Sequence, residues 1–374
     1  MKRVLCLVLC ACMVCSLALA EDDWGFEEVL LTDSGEEIIL GGEGEEAILI
    51  STDGMDELTD PGMDEQWEID DTVDPDSLDI NPNLPSNVVN ILLIGIDSRA
   101  KDIHASSELQ HGDVQIILSI NMDDGSIKLT SVLRDLYVDI PGTKNKARIN
   151  TAYAKGGGAL AMRTINHLLE LNIQYYATIN FYGLASIIES LGGIDIELTK
   201  AEAKAINAYI KRNPPAYDTL EDSSLRVPLE PVAGVQHCDG IQAVMYARLR
   251  SIDNDFARTA RQRKLLELLL QKVMQDMDLA TLMNLVSSTL PYVTTNASMS
   301  TIVNLALNTM NGGLLQRVQS GEPLLEQHRI PMDHAYGYKD VNGSSVIVWG
   351  TKNYDKNLRS VHEFIYGEYI PSGE

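Results

Sequence analysis

The chain has 374 residues and a formal charge of −25, from 54 acidic against 29 basic side chains. Of the acidic residues, 23 fall between Glu21 and Pro85, a stretch without Lys or Arg, so residues 86–374 are near balance at 31 acidic against 27 basic. Heptad and collagen architectures and multiple membrane spans are excluded, and no basic stripe is dense enough to bind duplex nucleic acid.

Lys2 and Arg3 precede an uncharged apolar run, Val4 to Ala20, that ends in the small-x-small pattern Ala18-Leu19-Ala20. Residues 1–20 therefore read as a secretory signal peptide or a single membrane anchor. Four of the five cysteines lie there. Cys238 alone remains beyond it, which leaves no disulfide framework and points to a buried, inert thiol. Residues 21–85 carry short acidic repeats: Glu27-Glu28, Glu36-Glu37 and Glu45-Glu46 each precede an apolar triplet or quartet. Self-repulsion and the small apolar content make this segment a disordered spacer. Asn81, Pro82, Asn83 and Pro85 mark its boundary.

The body, residues 86–374, alternates strands and helices. Asn87 to Ile96 is a near-continuous apolar run, typical of a strand buried on both faces. Val114 to Asn121 is a second strand, and Asp123-Asp124-Gly125 turns it into a third, Ile127 to Leu133. Gly156-Gly157-Gly158 precedes a helix from Ala159 to Glu170. A strand over Tyr176–Asn180 is followed by a helix over Gly183–Leu191 that Gly192-Gly193 ends. Ile194 to Leu198 is another strand, and Thr199 caps a helix reaching Lys211. Further helices are expected over residues 240–248, 257–277, 279–290 and 300–310, the last forming a helical C-terminal extension. The fold class is α/β, a central mixed sheet flanked by helices.

Four clusters stand out, the first three at strand ends, where open α/β sheets put their sites. They are Gly95-Ile96-Asp97-Ser98-Arg99, Asp113, Leu133-Arg134-Asp135-Leu136-Tyr137-Val138, and Tyr246 to Arg250 with Asp255 to Arg263. Arg258, Arg261 and Gln262 share a helix face at i, i+3 and i+4, just after Arg248 and Arg250. Guanidiniums so concentrated repel one another unless an anion joins them, and their forks match phosphate oxygens. Asp97 and Asp113 add the carboxylates that, with phosphate oxygens, suit magnesium. The pattern describes phosphoryl transfer; the competing reading is a solvated basic helix paired with Asp253 and Asp255. No Walker A, dinucleotide fingerprint, HExxH or GxSxG occurs.

Taken together, several stretches resemble the LytR–CpsA–Psr cell-wall ligases. They are Asn90-Ile-Leu-Leu-Ile-Gly-Ile-Asp-Ser-Arg99, Ser131-Val-Leu-Arg-Asp-Leu-Tyr-Val138, Arg148-Ile-Asn-Thr-Ala-Tyr153, Ile179-Asn-Phe-Tyr-Gly183, Leu191-Gly-Gly-Ile-Asp195 and Tyr246 to Gln262. Their order and joint presence over residues 88–270 carry the match. The resemblance implies an exported, membrane-proximal phosphotransferase. Its donor is a polyprenyl-pyrophosphate-linked glycopolymer, and its acceptor is a muramic-acid hydroxyl of peptidoglycan. It further implies a magnesium ion and an apolar lipid-binding cavity. Carried over by motif, Asp97 and Asp113 hold the metal. Arg134, Arg148, Arg248, Arg250, Arg258 and Gln262 hold the pyrophosphate, and Arg134, Asp135 and Arg99 serve catalysis. One departure stands out: His111-Gly112-Asp113-Val114 occupies the place of the family's Arg-Ser-Asp-Thr. Teichoic acid, capsular polysaccharide and other wall glycans would present the same diphosphate. A pyrophosphatase on the same lipid and a non-catalytic envelope-binding or regulatory protein are the alternatives.

Overall fold

The computed structural model describes residues 70, 72–96, 110–212, 226–249, 261, 264, 265, 268, 269, 272, 293–309, 317 and 325–373. Residues 1–20 and most of the acidic repeats lie outside this set. So does most of the region expected as helices over 257–277 and 279–290. Among the described residues no helix is long and apolar enough to cross a membrane.

Six strands form the central sheet: β1 (Val88–Ile96), β2 (Gly112–Asn121), β3 (Ile127–Val132), β6 (Tyr175–Asn180), β9 (Val293–Thr295) and β10 (Glu326–Ile330). Their order is β10-β3-β2-β1-β6-β9. β1 pairs antiparallel with β2 and parallel with β6, and β10 lies parallel to β3, so the sheet is mixed. The expected hairpin joins β2 to β3, with Gly125 at φ 64° in the turn. Between β3 and β6 come the two-residue strands β4 (Tyr137–Val138) and β5 (Ala147–Arg148), then α1 (Thr151–Leu169).

Successive residues of β1 serve opposite faces. Leu93 packs on one side with Ile116, Leu184 and Val244. Leu92 packs on the other with Ile117, Met162 and Val361. The first face is covered by α2 (Phe181–Ser190) and α4 (Gly240–Arg248), which pack on each other, with α3 (Lys200–Arg212) beside α4. Strands β7 (Ile194–Leu198) and β8 (Gly234–Cys238) form a separate antiparallel pair next to them. The thiol of Cys238 is fully buried there, and burial pushes its pKa up to about 12, as expected of an inert cysteine. The second face is covered by α1 and by α6 (Thr351–Tyr366). Helix α1 breaks at Gly156 and Gly157, and Gly157 sits at φ 60°. Gly158 lies so near the Tyr176 ring that a Cβ would come within 2.4 Å of it.

The C-terminal part differs from the helical extension expected. Helix α5 (Met299–Thr309) is present, but β10 then completes one edge of the central sheet. A hairpin follows, β11 (Gly337–Val341) and β12 (Ser344–Val348), before α6. β10 reads Glu-Gln-His-Arg-Ile, and an edge strand of this kind lacks the apolar run of a central one. The expected boundary at residue 85 also moves. Leu78 and Leu84 are buried in the core beneath α1, and Asn81 donates from Nδ2 to the carbonyls of Glu170 and Ile370. The Pro-Asn sequence there is a packed turn rather than the end of a spacer.

The chain end is fastened through His362 of α6, which has no exposure. Its Nε2 donates to the Leu169 carbonyl at 2.8 Å, and its Nδ1 accepts from the Ile370 N–H at 3.3 Å. Only the neutral ring makes both bonds. Burial lowers its pKa from the usual 6.5, against opposing effects of the Leu169 carbonyl and the Glu170 carboxylate.

Two outcomes follow. A chain beginning at Ser86 should melt well below one beginning at Asp70, because losing a fully buried leucine such as Leu78 costs about 2–5 kcal/mol. Equal melting temperatures would place residues 70–85 outside the folded body. As pH falls below 6.5 the unfolded state takes up a proton that native His362 refuses, so stability falls with it. His362→Gln should flatten the dependence of urea-denaturation stability on pH between 5 and 7; an unchanged slope would show that His362 does not contribute.

Candidate functional site

The sheet brings several of the expected groups to one end. β1 and β6 finish together, Ile96 opposite Asn180, and β2 begins there, Gly112 opposite Ile96. β3 ends beside them, Val132 opposite Gln115. The faces of β1, β2 and β6 bury apolar side chains and a few neutral polar ones, so charged groups of these strands find room past the strand ends.

Past Val132 the chain turns at Arg134 and Asp135, closed by the Leu136 N–H on the Leu133 carbonyl. β4 and β5 then pair Tyr137 with Arg148 and bring Arg148 back alongside. The four charges alternate. Arg134 Nη1 lies 3.6 Å from Asp113 Oδ1, and its Nε lies 3.7 Å from Asp135 Oδ2. Arg148 Nε lies 3.1 Å from Asp135 Oδ1, while its Nη2 donates to the Ser345 carbonyl of β12 at 3.4 Å. The side chains of Arg134 and Arg148 keep 32% and 37% of their surface in solvent, so an incoming anion can reach both. The β11–β12 hairpin supports this turn directly, through the Ile347 N–H on the Asp135 carbonyl.

Arg248 ends α4, with its guanidinium 3.8 Å over the Phe181 ring. Phe181 follows the end of β6, so Arg248 belongs to the same end of the sheet. Arg134, Asp135, Arg148, Arg248 and Asp113 are therefore placed there. Asp97, Arg99, Arg250, Arg258 and Gln262 lie outside the described residues. His111, at the departure from the family pattern, is exposed.

Arg261 does not behave as the helix-face spacing suggested. Its side chain keeps only 5% of its surface; Nη1 lies 3.4 Å from Glu202 Oε1, and Nη2 donates to the Leu249 carbonyl at 2.8 Å. Glu202 also accepts from Thr199 N–H and Oγ1, so this carboxylate joins the start of α3 to the turn after Arg248. The charge of Arg261 is met inside the protein. Of the helix containing it, the buried Leu265 and Leu269 follow at i+4 and i+8, on the same inward face.

Two polar residues had been passed over. Asn150 Nδ2 donates to Asp113 Oδ1 at 3.0 Å. Gln115, two residues beyond Asp113 on β2, directs Nε2 at the carbonyls of Gly112 and Ile149. The side-chain oxygens of both are buried without a hydrogen-bond partner. Asn150 stood within the Arg148-Ile-Asn stretch, but its contact with Asp113 spans 37 residues and had no local signal. Among the described residues no three His, Cys, Asp or Glu side chains converge on a metal site. Even so, one carboxylate beside two unpartnered amide oxygens fits a hard cation, which takes oxygen ligands.

Residues 57–361 match the model of the LytR_cpsA_psr family. A relative from Enterococcus faecalis, the polyisoprenyl-teichoic acid–peptidoglycan teichoic acid transferase TagU, is 33% identical over 215 residues, 57% of this chain and 61% of that one. The matches span 53–66% of the lengths of the first curated relatives. Among solved structures, B. subtilis TagV superposes with a TM-score of 0.52 at 23% identity, covering 77% of this chain and 100% of that one. TagT bound to LIIa-WTA superposes with a TM-score of 0.51 at 18% identity, covering 75% and 91%. These likenesses carry the fold.

Arg261→Ala should destabilise the protein by about 3–5 kcal/mol, because it leaves a buried Glu202 carboxylate uncompensated. Stability unchanged in urea denaturation would return Arg261 to the anion-binding set.

Proposed function

The chain belongs to the LytR–CpsA–Psr family, and on that footing we propose that it transfers a glycopolymer from a polyprenyl-pyrophosphate carrier to peptidoglycan, outside the membrane. The observation that carries this reading is the alternating series Asp113, Arg134, Asp135, Arg148 at the sheet end. The name of the Enterococcus relative supports a teichoic acid as the polymer and peptidoglycan as the acceptor. An export segment at residues 1–20 and an apolar cavity for the lipid tail belong to the same proposal.

In this reaction a muramic-acid hydroxyl attacks the polymer-side phosphorus. The bond from that phosphorus to the bridging oxygen breaks, and polyprenyl phosphate leaves with the proton that the hydroxyl gives up. Negative charge accumulates on phosphoryl oxygens, and fixed guanidiniums stabilise it. Arg134 and Arg148 are half-exposed and share Asp135, which sets the angle between their forks. Asp135 thus acts by orienting them. Arg248, stacked on Phe181, presents a third guanidinium whose plane the ring fixes. By family motif, Arg250, Arg258 and Gln262 belong to the pyrophosphate set of this proposal and Arg99 to its catalytic set. Asp113 and Asp97 would hold a magnesium ion, which supplies further positive charge to the diphosphate oxygens.

The test is transfer of a lipid-linked polymer to isolated peptidoglycan. Arg134→Ala and Asp113→Ala should each lower the rate about 100-fold or more at unchanged melting temperature, by comparison with the loss of a single oxyanion donor. Wild-type rates in both would remove this sheet end from the chemistry. Release of free polymer by the wild-type protein would make it a pyrophosphatase instead.

A further inference from the structure

Asn150 occupies the N-cap position of α1, where an asparagine ordinarily turns its side-chain oxygen onto the helix N–H groups. Here it makes no side-chain cap. Its Nδ2 donates to Asp113 Oδ1 at 3.0 Å instead. Since a carboxylate only accepts, the amide must present nitrogen to Asp113, and Oδ1 is turned away from it. That oxygen is buried and has no partner.

The backbone of Asn150 is fixed as firmly as its side chain. Its N–H meets the Arg134 carbonyl at 3.4 Å, and its carbonyl accepts from the Gly112 N–H at 3.2 Å. One residue therefore ties the segment before Asp113 to the Arg134 turn. Gln115 reinforces the same point through the Ile149 and Gly112 carbonyls, and its own Oε1 is a second buried oxygen without a donor. A buried acceptor with no donor is costly, and native structures rarely keep two in one cluster unless a water or an ion answers them. With the partly exposed Asp113 carboxylate, these two amide oxygens make three oxygen-bearing side chains, a surface for a cation rather than for a phosphate.

We propose that Asn150 is a further ligand of the divalent cation, its Oδ1 standing in the coordination shell that Asp113 opens. The inference rests on the phosphotransferase reading above and adds a neutral oxygen to its metal site. The Asn150 backbone is already helical at φ −62° and ψ −21°, which rules out a side-chain cap and leaves the amide to Asp113 and the ion. The geometry makes Asn150 the element that couples cation occupancy to the Arg134 turn, because the same residue holds both.

The experiment is Mn²⁺ titration of the full chain followed by electron paramagnetic resonance, with no lipid donor present, beside melting curves without metal. Asn150→Ala should weaken Mn²⁺ binding about 10–100-fold, the size expected when a site loses one ordering partner. Asn150→Asp retains an oxygen at the proposed position and should bind at least as tightly as wild type. If Asn150→Asp loses as much as Asn150→Ala, the residue acts only by its donation to Asp113, and the proposal falls. Unchanged binding in Asn150→Ala also overturns it. Should Asn150→Ala fail to fold, the Asn150→Asp comparison still decides. Asp113→Ala separates the two levels of argument. Wild-type Mn²⁺ affinity in that variant would sink the cation site itself, whereas its loss beside an unaffected Asn150→Ala would sink only the role of Asn150.

Discussion

Leu92 and Leu93 are adjacent, both have no exposure, and they face opposite layers of helix. That double burial of the central sheet is the constraint on which the rest of the molecule depends. At about 25 cal/mol per Å² of apolar surface, a sheet covered on both sides gains the most from continuous Val, Ile and Leu. It also leaves little tolerance for charge along the strands. The polar side chains that β2 carries inside, Gln115 and Ser119, are neutral, and Ser119 Oγ donates to Asn90 Oδ1 at 2.6 Å. Charged groups are displaced to the strand ends, where Asp113, Arg134 and Asp135 collect.

The collected charges nearly balance. Along the salt-bridged series two carboxylates alternate with two guanidiniums, and Arg248 adds one further positive charge at the same sheet end. In the proposed reaction an arriving diphosphate and cation exchange partners with these groups, the anion taking up guanidinium donors and the cation taking up Asp113. Exchange of this kind avoids an uncompensated charge in either state, and a partly desolvated site would otherwise meet that penalty in full. Arg261 shows the contrast. Its pairing with Glu202 is closed to solvent and to ligand alike, and it serves the turn that carries Arg248.

Much of this was legible in the sequence, and the reasons differ by element. β1 and β2 were readable because burial on both faces writes a near-continuous apolar run. Helices α2 to α5 were readable from periodicity and their punctuation. β10 and the β11–β12 hairpin were not, because Glu326 to Ile330 is a largely polar edge strand and Gly337 to Val341 a mostly exposed one, with no apolar pattern to find. The buried state of Leu78 was hidden by the proline and asparagine residues around it, whose turn chemistry reads the same in a linker and in a packed corner. Charged members of the site were found by residue type. Asn150 was not, since a neutral amide before a helix already has an ordinary explanation as a cap. The inward turn of Arg261 depends on a partner 59 residues away.

The ends of the folded body clasp each other. Asn81 bonds to Ile370, Asn83 to Pro371, and Asn90 to the hydroxyl of Tyr366, across 276 to 289 residues. Arg148 likewise reaches Ser345, 197 residues on. Contacts of such separation close large loops, which places this chain among slow, topologically demanding folders. Because the Asp135 turn leans on β12, a nascent chain emerging from its N-terminus holds the charged residues long before it holds their geometry. The charged turn is therefore complete only once the β11–β12 hairpin has formed, long after Asp135 itself has been made.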